Sequence, residues 1–157
     1  MKRHVVLCVL AAVYTALPAF SETAPTAVAF DAGAIATSLS GAPGNAEEGA
    51  KVMTTAALGN CVACHAVSAM PDVQFQGNIG PSLDGAASRW SEAQLRGMVV
   101  NAKMTFETTM MPAFYKVDGF IRPGAAYSGK APEGDLPPVL TAQQVEDVVA
   151  YLLTLKE

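Results

Sequence analysis

The sequence predicts an all-α fold. Three segments place apolar residues at helical spacing behind residues that commonly cap helices, and no segment shows the strict alternation of a strand. The chain has 157 residues, of which 51% are hydrophobic and 15% charged. This composition is typical of one globular domain and excludes a disordered chain.

Residues 1–21 are predicted to be a secretory signal peptide. A short cationic start precedes an apolar run over residues 5–20, and these sixteen residues are too few for a comfortable bilayer span. Small residues allow cleavage after Ala19 or after Ser21. We therefore expect no membrane span in the mature form; an uncleaved anchor is the alternative.

The chain that remains after cleavage is acidic and contains few metal ligands. Eight of the ten basic residues and all fourteen acidic residues remain, so the formal net charge is −6 and a nucleic acid partner is disfavoured. Cys61, Cys64 and His65 are the remaining cysteines and histidine. Iron–sulfur clusters generally need four thiolates and structural zinc needs four ligands, so this chain alone builds neither.

Residues 22–44 are predicted to be an N-terminal extension, and residues 45–157 a domain. The extension is rich in small residues and Pro, and its strong apolar residues are Phe30, Ile35 and Leu39. We expect it to contain one short helix at most.

Three helices are predicted in the domain, over residues 45–58, 91–102 and 141–156. Asn45 is a favourable N-cap with two glutamates in the first turn, and Gly59-Asn60 is a helix stop. Each of the other two helices begins with Ser or Thr followed three residues later by Gln, which is the pattern of a capping box.

Two segments are predicted to be loops. Pro and Gly interrupt residues 68–87, and residues 116–140 contain four Gly and four Pro without any regular period. Connections as long as the second loop are usually functional. A partner-binding or cofactor-covering loop and a solvated insertion both remain possible for it.

The run Cys-Val-Ala-Cys-His at residues 61–65 is the attachment motif of c-type haem. Two thiols three positions apart can each add to one haem vinyl group, and the next residue then presents an imidazole to the iron. A thioredoxin-like dithiol is the alternative, but it expects a preceding strand, and here a helix is predicted. The motif predicts one covalently attached haem c, held by Cys61, Cys64 and His65.

The second axial ligand is predicted to be a methionine, because the mature chain has no further His or Cys; Lys or an exogenous molecule is the alternative. We favour Met111, which follows the second helix and precedes Pro112, a residue that stiffens the loop. Met110 is the alternative one position away. Met70 also precedes a proline, but it lies only five residues after His65, too near to pass around the macrocycle. The other candidates, on or beside predicted helices, are Met53, Met98 and Met104.

Together, these motifs resemble class I cytochromes c, whose fold wraps helices around one haem. The features shared are a helix, the haem motif, Gly80-Pro81-Ser82-Leu83, Met111-Pro112 and a terminal helix. More narrowly, residues 75–81, 89–96, 111–115 and 140–152 are similar to the SoxX family of SoxAX cytochrome subunits. The chain departs from that family at residues 132–138, where its loop is longer, and in its double methionine.

The resemblance implies a periplasmic heterodimer with a SoxA-like cytochrome subunit. In that complex, an L-cysteine S-thiosulfotransferase, the partner oxidatively joins thiosulfate to a cysteine of a SoxYZ-like carrier. The SoxX subunit takes the released electrons and passes them to a downstream acceptor. The isolated chain is then an electron carrier with no catalytic residue of its own.

The resemblance also assigns individual residues. Cys61 and Cys64 hold the haem, His65 and Met111 ligate the iron, and the carbonyl of Pro81 accepts the proton of the second ring nitrogen of His65. Arg89 or Trp90 would donate to a haem propionate. The alternative is that Arg89 is a surface arginine and Trp90 a core indole.

Two other functions remain possible at this point. One is a free-standing cytochrome that shuttles electrons to an oxidase or reductase, which needs only a small docking patch. The other is a five-coordinate haem sensor or peroxidase, which the filled sixth position predicted above disfavours.

Overall fold

The computed structural model describes residues 21–121, 123 and 130–157. The predicted signal peptide therefore lies outside the described residues, except for Ser21. Within the described part, the α-helices are α1 (Ala46–Thr54), α2 (Ala86–Arg89), α3 (Glu92–Asn101) and α4 (Ala142–Leu152). Three short 3-10 helices accompany them, at Pro25–Ala27, Cys61–Ala63 and Ala102–Met104. The described part of the chain contains no β-strand. No helix in the described ranges has the length and apolar character that a bilayer span requires.

The helix starts follow the predicted caps. The side chain of Asn45 accepts hydrogen bonds from two backbone N–H groups in the first turn of α1. Ser91 with Gln94, and Thr141 with Gln144, each form a complete capping box. These side chains satisfy N–H groups that no helical carbonyl reaches, which fixes where each helix begins.

Helix α1 ends at Thr54, four residues before the predicted end at residue 58. The hydroxyl of Thr54 donates to the carbonyl of Ala50 at 2.9 Å, and that of Thr55 donates to the carbonyl of Lys51 at 2.6 Å. Threonine hydroxyls that take up the last carbonyls compete with continuation of the helix. The predicted end of this helix was therefore wrong.

Helix α4 likewise ends at Leu152, not at residue 156. The chain then turns, and the carbonyl of Leu155 accepts a hydrogen bond from the N–H of Ala87 at 3.0 Å. Leu155 is buried, so burial of one leucine against α2 replaces the last helical turn.

The two predicted loops are present with small differences. Helix α2 begins inside the last two residues of the 68–87 segment. Of the 116–140 segment, the described residues contain neither helix nor strand, and residues 122 and 124–129 lie outside the description.

Helices α1 and α4 cross in direct backbone contact. A Cβ atom added at Gly49 would lie 2.0 Å from the carbonyl oxygen of Asp147, and one added at Gly44 would lie 2.1 Å from that of Glu146. Only glycine permits this approach. Beneath the crossing, α1, α3, α4 and their neighbours bury a core that includes Leu39, Val52, Met53, Val99, Val100, Tyr115, Leu140, Val145, Val148 and Val149.

A buried ion pair connects α3, α4 and the N-terminal extension. Arg96 and Glu146 are 2% and 4% exposed, and the Nε atom of Arg96 lies 2.9 Å from Oε1 of Glu146. Arg96 also donates to the carbonyl of Ile35 at 2.8 Å, while Glu146 accepts from the N–H of Leu39 at 2.8 Å. Burial alone lowers the pKa of Arg96, but the hydrogen bonds and charge of Glu146 outweigh it and raise this pKa. The guanidinium therefore stays charged, and both groups are satisfied only when the extension is in place.

We expect Glu146→Ala to lower the free energy of unfolding by about 3 kcal/mol, because the buried Arg96 guanidinium keeps only the half-exposed Glu92 as a counter-charge. The measurement is urea denaturation of the haem-loaded protein. Lys51→Ala, which breaks an exposed pair with Glu48, is the control and should change stability far less. Equal effects of the two substitutions would contradict this account.

Candidate haem site

The haem motif occupies a single tight turn. Asn60 adopts the left-handed conformation (φ 45°), which asparagine tolerates, and the 3-10 helix Cys61–Ala63 begins directly after it. Cys61 and Cys64 are half-buried free thiols on this turn. Burial raises the pKa of the Cys61 thiol to about 11, so the thiol is protonated at neutral pH before haem is attached.

His65 is fixed by the hydrogen bond that the resemblance implied. Its Nδ1 atom lies 2.7 Å from the carbonyl oxygen of Pro81. Because a carbonyl can only accept, Nδ1 carries a proton, and in the neutral ring Nε2 then keeps its lone pair. The ring is thus prepared to bind a metal through Nε2, the arrangement common among metal-bound histidines.

Gly80 leaves the space that this ring needs. A Cβ atom at this position would lie 2.3 Å from Cε1 of His65. The N–H of Gly80 also donates to the carbonyl of Cys64 at 2.8 Å. The absence of a side chain at residue 80 therefore allows the segment to pass across the ring and deliver the Pro81 carbonyl.

Gln76 organises the loop that follows His65, a role that the sequence did not suggest. Its Oε1 atom accepts from the N–H of Val67 at 2.5 Å, and its Nε2 atom donates to the carbonyls of Met70 and Val73 at 2.8 and 3.2 Å. One side chain thus replaces the regular backbone pairing that the loop lacks. The segment around Gln76 is interrupted by Pro and Gly and has no periodic pattern, so no signal in the sequence reveals these hydrogen bonds.

The two adjacent methionines have different environments. Met110 is 76% exposed, whereas Met111 is half-buried and packs against the core. The backbone of Met111 is held on both sides: its N–H donates to Oγ1 of Thr109 at 3.2 Å, and its carbonyl accepts from Nζ of Lys103 at 3.1 Å. This favours Met111 as the residue with a defined position.

The other methionines are accounted for by packing or by exposure. Met53 and Met70 belong to the buried core, Met98 packs against it, and Met104 is half exposed. None of these environments requires a metal to explain it.

Arg89 and Trp90 make contacts with the protein itself. Arg89 donates to the carbonyls of Asp84 and Ser82 at 2.6 and 3.1 Å. The Trp90 ring meets the Phe106 ring edge-on, with centroids 6.1 Å apart. These contacts describe an arginine that braces a loop and a packed indole; donation from either side chain to a propionate remains a prediction.

The residues present fit a covalently bound haem. Attachment through two thioethers and an imidazole requires two free thiols on one turn and a ring nitrogen with a free lone pair, and residues 61–65 supply all three. Within residues 21–121, 123 and 130–157, no cluster of three or more His, Cys, Asp or Glu offers a metal site of another kind.

Comparison with known proteins decides the family. The family model described as cytochrome c matches residues 46–156. The chain belongs to the cytochrome c family. It is also similar to a chain of the crystal structure of SoxXA from P. pantotrophus, with 66% identity and a TM-score of 0.84, over 87% of this chain and 100% of that chain. No curated protein sequence matches it.

These matches confirm the cytochrome c fold and the resemblance to SoxX. They also show the cofactor, one covalently bound haem c. The assignment of Cys61, Cys64, His65 and Met111 to that haem remains a prediction.

We expect Gly80→Ala to displace the His65 ring, because the new methyl group would overlap it, and to destabilise the haem-loaded protein by about 1–3 kcal/mol. The low-spin absorption bands of the reduced protein report the displacement. Gly59→Ala is the milder comparison: its Cβ would lie 3.2 Å from the carbonyl oxygen of Val52 and 3.3 Å from Sγ of Cys61, so a shift of a few tenths of an ångström would accommodate it. An unchanged spectrum in Gly80→Ala would contradict the predicted role of this glycine.

Proposed function

We propose that the chain is the electron-accepting haem c subunit of a periplasmic SoxAX complex, whose SoxA-like partner joins thiosulfate to a cysteine of a SoxYZ-like carrier. The observation that carries the proposal is the 66% identity to a chain of SoxXA, over the whole of that chain. The cytochrome c match over residues 46–156 supports the electron-transfer role independently.

The stoichiometry explains why a separate electron carrier is needed. When the carrier thiol forms a sulfur–sulfur bond to thiosulfate, the thiol loses its proton and two electrons leave the pair of sulfur atoms. Haem c supplies a reversible one-electron couple. A chain with one haem therefore takes these electrons one at a time and must be reoxidised by a downstream acceptor between them.

The residues that would hold the haem are fixed in position. His65 is fixed through Nδ1, and Met111 lies on a loop held by Lys103 and Thr109. With His65 and Met111 as its ligands, the haem would have no position left for substrate, and a methionine ligand would favour a high reduction potential, which suits acceptance of electrons. Bond formation then belongs to the partner subunit.

Exposed apolar side chains near the haem motif support a stable partner. Phe75 and Ile79 are 96% and 66% exposed, on the loop whose Gly77 and Gly80 donate to the carbonyls of the motif. Exposed apolar side chains of this size are consistent with a surface that another protein covers. A free-standing shuttle has less use for them.

Met111→Ala should open the iron to carbon monoxide and lower the reduction potential, because a harder ligand or none replaces the sulfur. Carbon monoxide difference spectra and a redox titration measure both effects. Met110→Ala removes an exposed methionine one position away and should change neither. If only Met110→Ala opens the iron, the ligand is Met110.

The protein purified from its native cells should carry its haem by two covalent bonds and bring a second haem protein with it. The colour should stay with the polypeptide in acidified organic solvent, and the intact mass should exceed the polypeptide mass by one haem. Phe75→Ser should weaken the association with the partner and leave the spectrum unchanged. Extractable pigment would exclude covalent haem, and a stable monomer would favour the shuttle.

A further inference from the structure

The carboxylate of Asp84 is bound twice by a single residue. The N–H of Ser68 donates to Oδ1 at 2.8 Å, and the hydroxyl of Ser68 donates to Oδ2 at 2.6 Å. These two bonds are the main reason that the pKa of Asp84 lies below its usual value. The group is therefore ionised at neutral pH and accepts both bonds at once; we call this contact the Ser68–Asp84 clamp.

The clamp lies the same number of residues along both segments from the hydrogen bond between His65 and Pro81. Ser68 lies three residues after His65, and Asp84 lies three residues after Pro81. Between the two contacts, the N–H of Leu83 donates to the carbonyl of Ala66 at 2.9 Å. The two segments thus run side by side, with the His65–Pro81 hydrogen bond at one end and the clamp at the other.

The Pro81 side of this pairing has an anchor of its own. Arg89 donates to the carbonyls of Ser82 and Asp84, and the hydroxyl of Ser82 donates to the carbonyl of Ala66 at 3.3 Å. Residues 82–84 are therefore held against α2 whether or not Ser68 is bound. Without the clamp, the segment that begins at His65 would be held to residues 82–84 only by the two bonds on the carbonyl of Ala66.

We infer that the Ser68–Asp84 clamp is a positioning element that keeps the His65 ring on the Pro81 carbonyl and so contributes to the reduction potential of the haem. Donation from Nδ1 makes the imidazole a stronger ligand, which favours the oxidised iron. A longer or more mobile hydrogen bond weakens that donation, so loosening the clamp raises the potential. This inference rests on the proposed role of His65 as iron ligand.

Charge alone is the competing explanation, because a carboxylate near the haem also lowers the potential. Ser68→Ala separates the two effects: it keeps the charge of Asp84 and removes the hydroxyl bond. Asp84→Ala removes the charge together with both hydrogen bonds from Ser68. Asp72→Ala is the matched control, since it removes an exposed carboxylate seven residues after His65.

The experiment measures the exchange of the His65 Nδ1 proton with deuterium, by NMR of the reduced, haem-loaded protein, together with its potential. We expect Ser68→Ala and Asp84→Ala to speed the exchange about fivefold or more, the effect of one lost hydrogen bond, and to raise the potential. Asp72→Ala should match the wild type in exchange.

Two results would overturn the inference. One is wild-type exchange in both clamp variants; the other is a raised potential in Asp84→Ala alone, which would assign the effect to charge. Ser68→Ala leaves the backbone bond to Asp84 intact, so it tests the clamp even if Asp84→Ala does not fold. Absence of covalent haem from the wild type would instead contradict the proposed function.

Discussion

The hydrogen bond between Nδ1 of His65 and the carbonyl of Pro81 is the interaction on which the site depends. It decides which ring nitrogen carries the proton, and therefore which one can bind iron. It also requires Gly80, because a side chain there would occupy the space of the ring. The pairing of residues 64–68 with 80–84 serves this one contact, so a segment without regular secondary structure holds its geometry.

The helices support these loops from a distance. Backbone contact at Gly44 and Gly49 locks α1 onto α4, and α1 ends shortly before the haem motif begins. The buried pair of Arg96 and Glu146 adds the extension to the same unit, since the backbone of Ile35 and Leu39 completes its hydrogen bonds. Removing one partner of a buried ion pair destabilises a protein far more than replacing both partners by apolar residues. The pair of Arg96 and Glu146 therefore favours the arrangement in which all three segments are in place.

The sequence predicted what depends on local chemistry. The caps at Asn45, Ser91 and Thr141 and the haem motif are visible because their partners lie within a few residues. Helix ends were less predictable, because packing of Leu155 and threonine bonds decided them. The bonds of Gln76, Asp84 and Arg96 were not predictable: each joins residues that only the fold brings together, and no periodic pattern records them.

Charge supports the proposed division of roles between this chain and a substrate-binding partner. Residues 22–157 have a formal net charge of −6, and thiosulfate is a dianion, so this surface does not attract it. An electron, in contrast, needs only a haem close to the donor. The exposed Phe75 and Ile79 offer apolar contact beside the haem motif, where charge repulsion matters least. A partner that binds the anion and contacts this apolar surface would meet both requirements.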